Sequence, residues 1–127
     1  MWKYENHLES SGKSGYKLRR FDDIVNPELE HIAPQTPKNG GSIANGYCRY
    51  DEEFKKEYID CLGNYLLLSK SHNCSVGNKP FSEKYKTYVY LAQQREIQKL
   101  VPENGKWDKK VIKKRKDEII KFIISKL

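Results

Sequence analysis

The strongest constraint on this chain lies near its C-terminal end, where Trp107 and Asp108 precede an apolar stripe of Val111, Ile112, Ile119, Ile120, Ile123 and Leu127. An aspartate there caps the free N–H groups of a helix start, and Trp107 is spaced to staple onto Ile112. A stripe at helical intervals has to lie on a core, which leaves Lys109, Lys110, Lys113, Lys114 and Lys116 largely solvated. The residues upstream must therefore supply that core.

At 127 residues the chain suits one domain, residues 1–127, with a single core that needs no disulfide framework. Its three cysteines, Cys48, Cys61 and Cys74, form no C-x-x-C pair, which argues against a zinc ribbon and for a reducing cytoplasm. No apolar run approaches the roughly 20 residues needed to span a bilayer, so neither membrane nor export is expected. The net charge of +7 is concentrated near the C-terminus, where nine lysines and arginines face three acids over residues 106–127. Such a surplus favours a polyanionic partner, although a charge run alone is more often just a solvated face.

Read from the start, Trp2, Tyr4 and Leu8 fit one helical face before Ser10, Ser11 and Gly12 break it. Residues 1–16 thus look like the end of a helix and a linker, as in a C-terminal fragment of a larger protein. Residues 17–33 read as extended and are arrested by Pro34, and 34–49 form a loop dense in Pro, Gly and Asn. A helix is expected over 51–62, with Gly63 as its C-terminal cap, and then a buried strand over 64–69. A second helix should start around Ser71, and one or two more lie between Phe81 and Val101 with Ser82 as N-cap, before Pro102 to Gly105 interrupt.

Chemistry centres on Glu30-His31, a carboxylate beside an imidazole with proline three residues on. A lone histidine on an apolar strand is more often a satisfied core residue than a catalyst. The added weight comes from Asn64 at the strand start and Asn73 nine residues later. On these four positions the chain resembles the HNH, or ββα-metal, nucleases. It is closer still to the C-terminal domain of GmrSD-type, modification-dependent restriction endonucleases. That pattern of E-H-I-x-P-Q, L-G-N-x-x-L-L and N-x-x-x-x-N-x-x-F-x-x-K-x-x-x-Y is met at Glu30 to Gln35, Leu62 to Leu68 and Asn73 to Tyr88, and a later Trp, Ile and Arg at Trp107, Ile112 and Arg115.

The resemblance implies an α+β fold, a small ββα-metal motif wrapped by additional helices, and a metal-dependent DNA endonuclease serving defence against foreign, modified DNA. Phosphodiester hydrolysis needs an activated water and stabilisation of the charge that develops on phosphorus and on the departing 3′ oxygen. His31 would be the general base, since an ordinary imidazole is largely neutral at about pH 7 to 8. Asn64 would orient its ring. Glu30 and the Asn73 side-chain oxygen would hold one divalent ion, Mg²⁺ or Mn²⁺. His72, adjacent to Asn73, is the alternative ligand.

Neighbouring residues on a regular strand face opposite ways, so Glu30 and His31 can share a site only if the strand ends or bulges there. Asn64 could equally be a turn residue, and Asn73 a hydrogen-bonder at the helix start. The resemblance also makes Lys84 a phosphate contact; Lys79 and Arg95 are candidates for DNA contact or ordinary surface charges. The resemblance implies as partners DNA and an N-terminal nucleotide-hydrolysing domain of the same protein; no P-loop pattern is found here. The rival readings are a catalytically inactive DNA-binding module and a structural C-terminal domain on the same scaffold.

Overall fold

The computed structural model describes residues 1–10, 27–34, 51–77, 79, 81–101 and 105–127. The linker beyond residue 10, the extended segment before residue 27, the loop from residue 35 to 50 and the interruption at 102–104 lie outside the described residues.

Two short strands, β1 (Pro27–His31) and β2 (Tyr65–Ser69), pair antiparallel with Glu30 opposite Leu66 and His31 opposite Tyr65. At the end of β2 the Ser69 side chain accepts a hydrogen bond from His72 N–H at 3.1 Å and starts α3 (Lys70–Val76). Strand, strand and helix form a small ββα unit. Around it lie α1 (Trp2–Ser10), α2 (Glu52–Glu57), α4 (Phe81–Lys84), α5 (Ala92–Leu100) and α6 (Lys109–Ser125), which makes the fold α+β as expected. The core between them joins Leu66 and Leu68 of β2 to Phe54, Phe81, Tyr88, Ile97, Trp107 and Ile112.

Several local signals hold. Asp108 caps α6 as expected, accepting from Val111 N–H at 3.0 Å, whereas the cap of α2, where Asp51 accepts from Phe54 N–H at 2.8 Å, was not among the expectations. Trp107 and Ile112 enter the same core, where the indole lies against Phe81.

Other expectations are corrected. The helix expected over 51–62 stops at Glu57 and passes through a turn into a 3₁₀ segment, Leu62–Asn64. Gly63 is therefore no helix cap. It is buried beneath α6, where a Cβ would stand 2.0 Å from the Ile112 carbonyl oxygen, so only glycine permits this approach. Ser82 lies within α4, which starts at Phe81. The cap of α5 instead comes from α1: the Glu5 carboxylate accepts from Ala92 N–H at 2.7 Å and Gln93 N–H at 2.9 Å. Finally, the apolar stripe of α6 is buried only at Ile112 and Ile119. Ile123 is exposed, Leu127 is 98% exposed, and the buried face includes Arg115 instead.

Candidate functional site

β1 runs regularly through His31, and Ile32 N–H continues the ladder by donating to the Asn64 carbonyl at 2.9 Å. Regular alternation sends Glu30 and His31 to opposite faces. The condition for a shared site, a strand irregular at His31, is not met, and the two side chains have separate partners.

Glu30 turns inward. It is 6% exposed, accepts from Lys84 Nζ at 2.9 Å on one oxygen and from the Tyr88 hydroxyl at 3.1 Å on the other. Burial pushes its carboxyl above the usual range, with the Lys84 ammonium and the Tyr88 hydrogen bond pulling the other way. Lys84 is 1% exposed, so the phosphate contact expected of it is replaced by this internal ion pair.

His31 turns outward. Its Nε2 lies 2.8 Å from Asp60 Oδ1, and its ring meets Tyr65 edge-on with centroids 5.0 Å apart. The Tyr65 hydroxyl donates to the same Asp60 oxygen at 3.4 Å. A carboxylate only accepts, so Nε2 is the donating nitrogen, and in the neutral form of such a ring the lone pair lies on Nδ1. The ring is half-buried while Asp60 is exposed, which leaves the pair open to a ligand arriving from solvent.

Asn64 does not orient this imidazole. Its Oδ1 accepts from Ala33 N–H and Trp107 Nε1–H at 2.9 and 2.8 Å, and its Nδ2 donates to the Ala33 and Ile59 carbonyls at 3.0 and 2.8 Å. With both donors and two acceptor positions used, Asn64 instead fixes the chain immediately after His31. The ring's partner is Asp60, 29 residues away, and no sequence signal marked it. Arg115 acts on the same segment, donating to the Gly63 carbonyl at 2.9 Å and to the Tyr65 carbonyl, while its Nε holds Glu96 at 2.8 Å.

Of the remaining candidates, Asn73 is half-buried on α3 and its carbonyl accepts the closing N–H of Gly77 at 3.0 Å. His72 contacts Thr87, Nε2 to Oγ1 at 2.8 Å. Because the Thr87 hydroxyl already donates to the Lys84 carbonyl at 2.7 Å, His72 must be the donor through Nε2–H. Burial lowers the His72 pKa. Arg95 donates to the Val89 and Tyr90 carbonyls at 3.3 and 3.1 Å, and Lys79 is exposed.

The metal expected on Glu30 and Asn73 does not fit this arrangement. A divalent ion on Glu30 would stand about 4 Å from the Lys84 ammonium, a repulsion of roughly 8 kcal/mol at an effective dielectric of about 20.

Compared with protein-family models, residues 2–122 match the C-terminal domain of GmrSD restriction endonucleases. The chain belongs to this family. As a GmrSD C-terminal domain it is a restriction-endonuclease domain, for which DNA is the substrate. Comparison with curated proteins and with solved structures gave no match. No helix among the described residues of this GmrSD domain is long and apolar enough to cross a membrane.

Proposed function

We propose that this domain cuts DNA by phosphodiester hydrolysis with His31 as the general base and Asp60 as the residue that positions it. The supporting observation is the hydrogen bond between Nε2 and Asp60, which leaves Nδ1 as the basic atom on a solvent-facing ring. In this reading a water attacks phosphorus as its proton passes to Nδ1, the P–O bond to the 3′ oxygen breaks, and that oxygen leaves as a hydroxyl by taking a proton from solvent water. Modified DNA as the target, an upstream nucleotide-hydrolysing domain and a cytoplasmic setting belong to the same proposal.

Nicking of supercoiled plasmid tests it. His31→Ala should abolish nicking while leaving DNA affinity within about twofold, and Asp60→Ala should lower the rate by about 10²-fold. Unchanged nicking in His31→Ala would remove His31 as the general base, and a parent chain that binds DNA without nicking it would overturn the reading in favour of a silent DNA-binding module. Assays with Mg²⁺, Mn²⁺ and chelator complete the test: a strict divalent requirement would mean that Lys84 leaves Glu30 when the ion enters.

A further inference from the structure

With Lys84 buried and Arg95 turned onto backbone carbonyls, Lys79 alone of the three residues first expected to meet DNA is exposed, and one lysine does not make a surface for a duplex. The basic charge of α6 is sorted by position. Arg115 is buried, Lys109 lies 3.4 Å from both Asp51 and Glu53, and Lys121 is 3.8 Å from Glu118. Lys110, Lys113, Lys114 and Lys116 are all exposed, and among the described residues none of them has a carboxylate partner. Lys110, Lys113 and Lys116 follow one another at three-residue steps and form a ridge, with Lys114 beside Lys110 on the next turn.

The helix that carries this ridge is anchored to the strand that pairs with His31. The α6 backbone lies directly on Gly63, where a Cβ would meet Ile112 O at 2.0 Å and Lys116 N at 3.0 Å, so Lys113 and Lys116 flank the contact. Arg115, between them in sequence, clamps the Gly63 and Tyr65 carbonyls. Tyr65 pairs with His31 across the sheet and touches its ring.

The geometry points to the Lys110, Lys113, Lys114 and Lys116 ridge as the surface that tracks the phosphate backbone of duplex DNA and brings one strand to His31. At 1.5 Å per residue the ridge from Lys110 to Lys116 spans about 9 Å, and a DNA strand carries one charge per about 3.4 Å of axis, so two to three phosphates fit along it. Ammonium groups on flexible stems bind phosphates as point charges without reading bases. The delivery to His31 rests on the nuclease reading; the binding surface does not.

The test measures affinity of the 127-residue chain for a short fluorescent duplex as a function of salt. The variant K110Q/K113Q/K114Q/K116Q should lower the log–log slope by about 2 to 3, at roughly 0.9 for each phosphate that is no longer neutralised, and weaken binding at least tenfold at fixed salt. Its thermal unfolding should match the parent, because the substituted ammoniums have no carboxylate partner among the described residues. K3Q/K70Q/K86Q/K99Q, which removes equal charge from exposed sites elsewhere, should leave the slope nearly unchanged. An equal loss in both variants, no loss in the α6 variant, or a parent chain with no salt-dependent binding would each overturn the ridge. His31→Ala separates the two proposals. A variant that keeps the slope and loses nicking supports both; one that keeps the slope and still nicks removes His31 as the general base and leaves the ridge standing.

Discussion

Glu30 and Lys84 form an ion pair that solvent barely reaches, and its energetics are set by burial more than by attraction. Desolvating two charges costs several kcal/mol each, so the pair gains little over a neutral substitute but is costly to split. Lys84→Met, which leaves the carboxylate alone, should destabilise the domain by about 3–5 kcal/mol in urea denaturation. Glu30→Gln combined with Lys84→Met removes both charges and keeps an acceptor for Tyr88, and should recover most of that loss. A double variant as unstable as the two single effects added together would show that the residues act independently. The sequence placed Glu30 and Lys84 in separate motifs with separate tasks. Their union depends on a pairing across 54 residues of chain, which no local pattern encodes.

At the level of elements, local rules served best at the start of α6, while the N-cap expected of Ser82 was not found. Asp108 and Asp51 each accept the N–H three residues on, as side-chain chemistry at a helix start requires. They served worst where an element's end depends on what packs against it. Gly63 looked like a helix cap because glycine commonly ends helices, yet its place is decided by the approach of α6. Gly63→Ala tests this. A Cβ 2.0 Å from a backbone oxygen cannot be relieved by turning a side chain, so α6 must shift, at a cost of about 3 kcal/mol or more in thermal or chemical unfolding. A helix cap losing glycine would cost about 1 kcal/mol, and such a small loss would restore the first reading.

For the whole molecule, the buried polar groups make stability depend on pH. His72 is held neutral by burial and bound to Thr87, so the folded state takes up its proton less readily than the unfolded chain does. The unfolded chain thus binds more protons below the ordinary value of 6.5, and stability should fall as pH drops from there through the lowered folded value. His72→Gln should flatten this limb of a plot of unfolding midpoint against pH while leaving the neutral region little changed. An unaltered limb would assign the acid sensitivity to another group. Tertiary contacts also connect distant parts of the chain: Tyr4 of α1 donates to Glu96 of α5, and Glu96 in turn holds Arg115 of α6. The N-terminal helix is thereby joined to the segment that carries Tyr65.

By itself the sequence determined the order of β1, β2 and α3, the cap of α6, and the motifs on which the family resemblance, and with it the α+β expectation, rests. These are local properties, fixed by side-chain type and spacing within a few residues. Only the tertiary structure decided that Glu30 faces Lys84 and Tyr88 while His31 faces Asp60, that Asn64 holds the Ala33 backbone and Trp107, and that Arg115 enters the core. The physical reason is that a strand assigns neighbouring side chains to opposite faces, while what waits on each face is supplied by residues far away in the chain.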